Sequence, residues 1–504
     1  MTSYEILTTS DTLLCDRYAE KRGIDGLTLM EAAGRGIVAA IIRRWAPRPV
    51  LIACGPGNNG GDGFVCARLL QEAGWPVSVG LHGDALSLSG DAEEMARRWD
   101  GDIRAFIALE PVDGALVIDA LFGAGLARPL DESLAGQLRA LAEAASAVVA
   151  VDLPSGLSGD GIAGLQAPYL ASLTVSFHTY KPAHLLEPGA SQCGEVELVD
   201  IGIPSGWSDE IKPVSRLNHP DIWGRGLPQP ASGAHKHARG RMIAFSGGAA
   251  STGAARLAAE AGLSAGAGLV TLASPPDALA ENAAHLTAVM LRAWTAPYEA
   301  EQIIDQIQAD ACVIGPAAGL GAKTRQAVET VLTSRAACVL DADALSSFEG
   351  HARQLFEHLR PGDVLTPHLG EFRRIFPGII EKAANKIEAV LQASQIAGCT
   401  VLLKGPDTVI AAPDQLPVVN RHATAWLATA GSGDVLAGLI AGLMAQGVPG
   451  YLAAQMGCWL HGEAARQLGP ALGAEALCDQ IRPVIAARLR AEERQSALEK
   501  LLLS

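Results

Sequence analysis

Short β-branched apolar runs alternate with longer Ala/Leu-rich amphipathic segments along most of the chain, with glycine and proline at the joints. That alternation predicts βαβ units built around mostly parallel sheets. In the first half, Thr28-Leu29-Met30-Glu31 has the spacing of a capping box and predicts an amphipathic helix to about Arg44. A buried strand is expected at residues 50–54, a glycine-rich loop at 55–63 and a helix at 64–73. Further strands are expected at 77–81, 115–119, 147–152 and 174–177. The pattern lapses after Ile203, where Pro204, Pro213, Pro220, Pro228 and Pro230 precede a polar run over residues 232–241. This stretch predicts an interdomain connection with some local structure. A second series follows, with strands at 242–245, 269–272, 311–314, 337–340, 364–365, 400–403 and 408–411. Its helices are expected at 253–264 and 434–445.

A chain of 504 residues is too long for one compact domain. We expect two α/β domains rather than three: residues 1–212, a linker and start of the second domain at 213–238, and residues 239–504. A hydrophobic share of 49% and a charged share of 18% exclude a disordered polypeptide. With 39 Lys and Arg against 54 Asp and Glu, the formal net charge is −15. Such a chain repels nucleic acid and anionic membrane, so a phosphate-bearing ligand must be small and held by local donors. Aromatics at 5% argue against base-stacking surfaces. Nine cysteines, from Cys15 to Cys478 with no Cys-x-x-Cys pair, suit neither a disulfide framework nor a zinc site and point to a reducing compartment. The first residues carry Glu5, Asp11 and Asp16 and no apolar signal core, and stretches such as 435–445 are too short to cross a bilayer. A cytoplasmic homo-oligomer with small-molecule partners, without nucleic acid or membrane, is the expectation.

Candidate chemistry gathers first at Gly55-Pro56-Gly57-Asn58-Asn59-Gly60-Gly61-Asp62-Gly63, between a strand and a helix. Glycines there let backbone N–H groups approach an anion at the positive end of a helix dipole. Gly55, Gly57 and Gly60 also spell G-x-G-x-x-G, a weak match to a dinucleotide-binding dehydrogenase. Asn58, Asn59 and Asp62 add side-chain oxygens that a plain pyrophosphate loop does not need. Two further strands end in acids: Asp119, followed by Ala120-Leu121-Phe122-Gly123-Ala124-Gly125-Leu126-Ala127-Arg128-Pro129, and Asp152, followed by Leu153-Pro154-Ser155-Gly156. Any one of these acids alone suits a helix cap or loop brace. Three strand ends together predict a ligand crevice beyond the carboxyl edge of a parallel sheet.

In the second half, Thr429-Ala430-Gly431-Ser432-Gly433-Asp434 opens a long apolar helix. Bare N–H groups there can hold phosphate oxygens, and Asp434 stands where a base could take a hydroxyl proton; the plain alternative is a helix-capping aspartate. Lys404-Gly405-Pro406-Asp407-Thr408 is a strand, a tight turn and the next strand, suited to a nucleotide phosphate or to a bare hairpin. Asp341, Asp343, His368 and Glu371 follow strands, and Gly315-Pro316-Ala317-Ala318-Gly319-Leu320-Gly321 is another glycine-rich strand exit.

The motifs GPGNNGGDG, DALFGAGLARP, VDLPSG and FHTYKP, over roughly residues 10–210, resemble the N-terminal epimerase domain of the bifunctional NAD(P)H-hydrate repair enzymes. GAARLAAEA, GPAAGLG, LDADAL, TPHLGE, KGPDT and GSGDVLAG, over roughly 225–495, resemble their ribokinase-like ADP-dependent dehydratase domain. The resemblance implies an α/β architecture with a Rossmann-like doubly wound sheet in the first domain and a ribokinase-like second domain. It implies that Asn58, Asn59, Gly60, Gly61, Asp62, Gly123, Ala124, Gly125, Leu126, Ala127, Arg128, Pro129 and Asp152 hold the hydrated nucleotide, NADHX or NADPHX. Asn59, Asp119 and Ser155 would bind K⁺, Asp152 would be the acid/base and Lys181 its partner, although Lys181 also suits a solvated lysine beside a turn proline. In the second domain Ala254, Gly321, His368 and Asp434 would contact the hydrate, and Lys404, Gly405, Pro406, Asp407, Thr408 and Gly433 would hold ADP. Asp434 would deprotonate the ring hydroxyl so that ADP, assisted by Mg²⁺, phosphorylates it; elimination of phosphate then restores NADH or NADPH and leaves AMP. Three positions depart from the usual pattern: Ala183 after Lys181-Pro182, Ser432 and Pro406. Two alternatives are a ribokinase-like small-molecule kinase with an accessory N-terminal domain, and a non-catalytic nucleotide-sensing module in the first half.

Overall fold

The structure is a computed structural model that describes residues 4–502 except Arg225, Ser232 and Ala234. Ser232 and Ala234 of the polar run expected to join the domains therefore lie outside the described residues. The chain forms two compact units, Met1–Arg216 and Leu217–Ser504.

The first unit is built on a seven-stranded sheet. Its strands are β1 (Val50–Cys54), β2 (Val77–Leu81), β3 (Ile103–Ala105), β4 (Leu116–Ala120), β5 (Ala147–Val151), β6 (Leu173–Phe177) and β7 (Glu195–Val199). All neighbours are parallel, in the order β3-β2-β1-β4-β5-β6-β7. The order reverses between β1 and β4, the switch point at which a doubly wound sheet opens a crevice. Strands β1, β4 and β5 are buried on both faces, which is why they read as continuous apolar runs. The sequence pattern did not reveal β3 or β7. Both are edge strands, exposed or half-buried, and a strand without two buried faces need not be apolar. Among the helices of this unit are α1 (Thr9–Glu20), α2 (Gly26–Arg44) and α3 (Asn58–Glu72).

Two local expectations are corrected. Helix α2 starts at Gly26 and not at Thr28: Asp25 is the N-cap, its carboxylate accepting the Thr28 N–H at 2.8 Å. Glu31 is no box partner but an ion-pair partner of Arg68 at 2.7 Å. The glycine-rich loop is also shorter than expected, since Asn58–Gly63 already form the first turns of α3. The glycines are there for packing: a Cβ on Gly60 would stand 1.9 Å from the Gly55 carbonyl oxygen, and one on Gly55 1.8 Å from that of Leu121.

The second unit carries β8 (Arg241–Phe245), β9 (Leu269–Ser274), β10 (Met290–Ala293), β11 (Ala311–Ile314), β12 (Ala337–Leu340), β13 (Val364–Leu365), β14 (Thr400–Leu403), β15 (Thr408–Ala411) and β16 (Val418–Asn420). Their order is β16-β15-β14-β13-β12-β11-β8-β9-β10, parallel from β14 to β10 and antiparallel through β15 and β16. Strand β10, another missed edge strand, is mostly exposed. The switch point lies between β8 and β11. Helices α4 (Gly253–Ser264), α5 (Ala322–Thr333), α6 (Ser432–Ala445) and α7 (Gly450–Leu468) flank the sheet. Helix α6 is buried over most of its length and apolar all round, and it crosses α4 closely enough that a Cβ on Gly438 would stand 2.0 Å from the Ala258 carbonyl oxygen. The proline-rich stretch is packed here: Trp223 and Leu227 are buried in this core, and Trp223 Nε1 donates to Asn218 Oδ1 at 3.1 Å. Among the described residues, no helix is long and apolar enough to cross a membrane, and all nine cysteines are unbridged and buried.

Candidate functional site

At the β1/β4 switch point of the first unit lies a cleft of about 560 Å³. Asn58, Asn59 and Asp62 from the head of α3 line it, with Gly123, Ala124, Gly125 and Leu126 after β4, Asp152 after β5, and Lys181. Asp152 adopts a left-handed backbone, φ 64°, and so does His178 in the same wall, φ 63°. Non-glycine residues hold such a conformation only where their surroundings demand it.

The Asp152 carboxylate is tightly partnered. Lys181 Nζ donates to Oδ1 at 2.7 Å and Ser176 Oγ to the same oxygen at 2.9 Å, while the Ala124 N–H donates to Oδ2 at 2.9 Å. Lys181 is 2% exposed and also donates to Ser176 Oγ at 3.0 Å. It is therefore an internal counter-charge, and the solvated alternative is set aside. Burial pushes the Asp152 carboxyl up, but Lys181, then His184 and the Ala124 amide outweigh it and hold it at about 2. Its two carboxyl neighbours in the cleft behave oppositely. Burial, with Asp152 nearby, pushes Asp62 well above its usual range, and burial raises Asp16 to about 6. The cleft thus holds one firmly ionised carboxylate, Asp62 pushed toward its protonated form, and Asp16, which changes charge near pH 6. Motif reasoning missed Asp16, Ser176 and His184 as parts of this site; the available signal for Asp16 was a carboxylate on α1 beside the buried Cys15, Tyr18 and Ala19.

The other expected residues are placed differently. Gly60 and Gly61 are buried inside α3, away from the cleft lining, and Ala127, Arg128 and Pro129 are exposed outside it. Asp119 and Ser155 lie fully buried below. Asp119 Oδ1 accepts from the Leu121 N–H at 3.1 Å and Ser155 Oγ at 2.7 Å, and Oδ2 accepts from the Ser155 N–H at 2.8 Å and from the Tyr169 hydroxyl. A carboxylate offers about four lone-pair sites, so these donors fill it. The unpartnered buried atom of Asn59 is its amide nitrogen, a donor. A potassium ion at Asn59, Asp119 and Ser155 does not fit this arrangement without displacing Tyr169 or Ser155 from Asp119.

In the second unit, Asp434 stands in the first turn of α6, after Gly431, whose φ of 86° requires the left-handed region. The first N–H groups of that turn have no intrahelical partner. Burial, with Asp341 beside it, raises the Asp434 carboxyl to about 6 despite Lys404. Lys404, at the end of β14, donates from Nζ to Asp341 Oδ1 at 2.6 Å, and a Cβ on Gly433 would stand 3.5 Å from the same Nζ. Burial also raises Glu371. Asp434, Gly433, Lys404, Asp341 and Glu371 therefore form one cluster at the carboxyl ends of β12 to β14.

The remaining residues of the turn after β14 largely hold the turn. Thr408 Oγ1 donates to the Gly405 carbonyl oxygen at 2.8 Å and accepts the Gly405 N–H at 3.2 Å, and Asp407 pairs with Lys386 at 2.7 Å. Pro406 has no N–H to offer. His368 is the N-cap of the helix Leu369–Ile375: Nδ1 accepts the Gly370 N–H at 2.9 Å and Nε2 faces Glu371 Oε1 at 3.2 Å, so both ring nitrogens are engaged. Ala254 heads α4, and Gly321 caps α5 with φ 118°. Sequence reasoning missed His461 of α7, a buried histidine held near 4 by burial, which lies against the Ser432 backbone. Among the described residues, no group of three or more His, Cys, Asp or Glu side chains could hold a metal ion. Mg²⁺ arriving on a nucleotide asks less, because it keeps waters and phosphate oxygens and takes only one or two carboxylates. Three acids around the single Lys404 fit that need.

The family model described as NAD(P)H-hydrate dehydratase matches residues 242–485, and that described as YjeF-related protein N-terminus matches residues 26–183. The bifunctional NAD(P)H-hydrate repair enzyme Nnr of Moorella thermoacetica is 36% identical over 92% of this chain and 93% of its own. The chain belongs to the bifunctional NAD(P)H-hydrate repair enzyme family. The Thermofilum pendens member is 32% identical over 91% of each chain. A solved ADP/ATP-dependent NAD(P)H-hydrate dehydratase from Bacillus subtilis, co-crystallised with ATP and Mg²⁺, aligns with 54% of this chain and 99% of its own, at 26% identity and a TM-score of 0.48. The family accounts for two strand-end sites in one chain, and the two parallel-sheet α/β units described above carry its two family models.

Proposed function

We propose that the protein repairs hydrated NADH and NADPH at two sites, one epimerising the R and S hydrates and the other dehydrating the S form with ADP. The observation that carries the reading is Asp434: a carboxylate whose proton affinity sits near neutrality, at the head of a helix and beside Lys404. It can accept a hydroxyl proton while adjacent N–H groups meet phosphoryl charge.

In the first unit the hydrated carbon carries both a hydroxyl and the ring nitrogen. A neutral Asp62 carboxyl gives its proton as the C–O bond breaks, and water leaves. The ring nitrogen supplies the electron pair, and the cation lies against the Asp152 carboxylate. Water adds to the opposite face and returns the proton to Asp62, while Asp152 stays ionised. Lys181 keeps Asp152 ionised throughout.

In the second unit Asp434 takes the hydroxyl proton, the oxygen attacks the β-phosphorus of ADP, and AMP departs. The nitrogen lone pair then expels phosphate, and the departing phosphate takes the proton from the neighbouring ring carbon, which restores the dihydronicotinamide. Asp341 or Glu371 would hold Mg²⁺ carried on ADP, where the ion would neutralise phosphate charge.

The test is a mixture of R and S hydrates with ADP and Mg²⁺, followed by nucleotide chromatography. The wild-type chain converts all hydrate and yields AMP and phosphate. Asp152→Asn stalls once the S fraction is gone, and Asp434→Asn converts none. A stable phosphorylated product would instead identify a small-molecule kinase.

A further inference from the structure

Lys386 opens the helix Lys386–Ala397, where local physics disfavours it, because a cation at a helix N-terminus opposes the helix dipole. Its neighbours follow the usual preferences. Asn385 caps the helix by accepting the Glu388 N–H at 3.1 Å, and Glu388 places an acid in the first turn. The exception at Lys386 is explained by what its ammonium reaches. Nζ donates to Asp407 Oδ1 at 2.7 Å and to the Asp407 carbonyl oxygen at 3.0 Å. The side chains are only 16% and 7% exposed, so solvent ions screen this pair little.

Asp407 lies in the turn Lys404–Thr408, the one given to ADP. Within the turn, Thr408 Oγ1 accepts the Gly405 N–H at 3.2 Å and donates to the Gly405 carbonyl oxygen at 2.8 Å. Pro406 has no N–H to add. The carbonyl oxygens in the middle of the turn are met by cations from outside it: Lys386 at Asp407, and Arg421 Nη1 at Pro406 at 3.4 Å. The ion pair is also packed onto the backbone. A Cβ on Gly405 would stand 2.8 Å from Lys386 Nζ and 3.0 Å from Asp407 Oδ1. Lys386 therefore holds a carboxylate, a carbonyl and the face of Gly405 at once. A turn binds an anion by keeping its donors where the phosphate oxygens will sit, so a turn free to rearrange binds it less tightly.

Resting on the assignment of this turn to ADP, we propose that Lys386 is a positioning residue for the nucleotide, fixing the Lys404–Thr408 turn through the carboxylate and carbonyl of Asp407. It governs affinity for ADP and leaves the chemical step alone, since Lys404 and not Lys386 reaches the cluster around Asp341 and Asp434. A mere hairpin brace would make the same bonds, but its loss would show in stability and not in ADP affinity.

The experiment measures kcat and KM for ADP on the full chain at saturating S hydrate of NADH, with the Kd of ADP and Mg²⁺ from titration calorimetry. Lys386→Met raises both KM and Kd for ADP about tenfold while kcat stays within about twofold, the pattern of binding lost equally from ground and transition states. Lys386→Arg, which again offers donors to both Asp407 oxygens, returns KM for ADP to within about threefold of wild type. Asp407→Asn keeps the shape of the side chain and weakens the same hold, so it raises KM for ADP severalfold and serves if Lys386→Met does not fold. A lower Tm with unchanged KM and Kd for ADP overturns the proposal, as does a fall in kcat at constant KM or a failure of Lys386→Arg to rescue. If the wild-type chain binds no ADP, the assignment of the turn has failed instead.

Discussion

Asp152 and Lys181 show how a charge can be kept in a largely buried place. Together with Ser176 and the Ala124 amide they form a satisfied set. Asp152→Asn leaves the Lys181 ammonium, 2% exposed, without its counter-charge, and should lower stability by about 3–5 kcal/mol, read from denaturant unfolding. The pH dependence has a definite sign. A carboxyl held near 2 in the folded chain, against about 4 when unfolded, contributes its stability in full above pH 4. That contribution is lost as pH falls from about 4 through about 2, and Asp152→Asn removes this slope from a stability–pH profile. Asp434 runs the other way. Raised to about 6, it is a base only above that pH, so dehydration should rise about tenfold per unit up to pH 6 and level off beyond it. Measuring kcat/KM from pH 5 to 8 at fixed ionic strength checks this. A flat profile, with Asp434→Asn within tenfold of wild type, would remove Asp434 from the role of base.

Between elements, the helix α6 is set by contact. Its buried glycine Gly438 lets α4 approach until the Ala258 carbonyl leaves no room for a methyl group. Gly438→Ala would gain helix propensity on the surface of a peptide but here forces the two helices apart. The expected cost is about 1–3 kcal/mol, seen as a lower Tm. Because α6 carries Asp434 in its first turn, dehydration should fall in the same variant while epimerisation holds. Much of this level was visible in the residue pattern. Strands buried on both faces, β1, β11, β12, β14 and β15, announce themselves as apolar runs. The edge strands β3, β7 and β10 do not, because their solvent faces carry polar residues such as Glu195 and Glu197. The start of α3 was hidden for a different reason: its glycines imitate a loop, whereas close approach of β1 and the segment after β4 is what demands them.

For the molecule as a whole, two compact units with separate cores imply two unfolding transitions. ADP with Mg²⁺ at about a hundred times its Kd should stabilise one of them by about 2.7 kcal/mol, and calorimetry should show that transition alone moving upward. If both transitions shift together, the nucleotide site is not confined to the second unit.

Residue order along the chain determined the two α/β series, the motifs at the strand ends and their resemblance to a two-activity repair family, because periodicity and glycine placement are local properties. Only the tertiary structure decided which acids share a cleft and which counter-charge each one meets. Proton affinity depends on burial and on neighbours far away in the chain: Asp152 with Lys181, Asp434 with Asp341 and Lys404, Asp119 with Tyr169. Motifs named the carboxylates; packing made one of them an ion, one a base near neutrality and one a saturated brace.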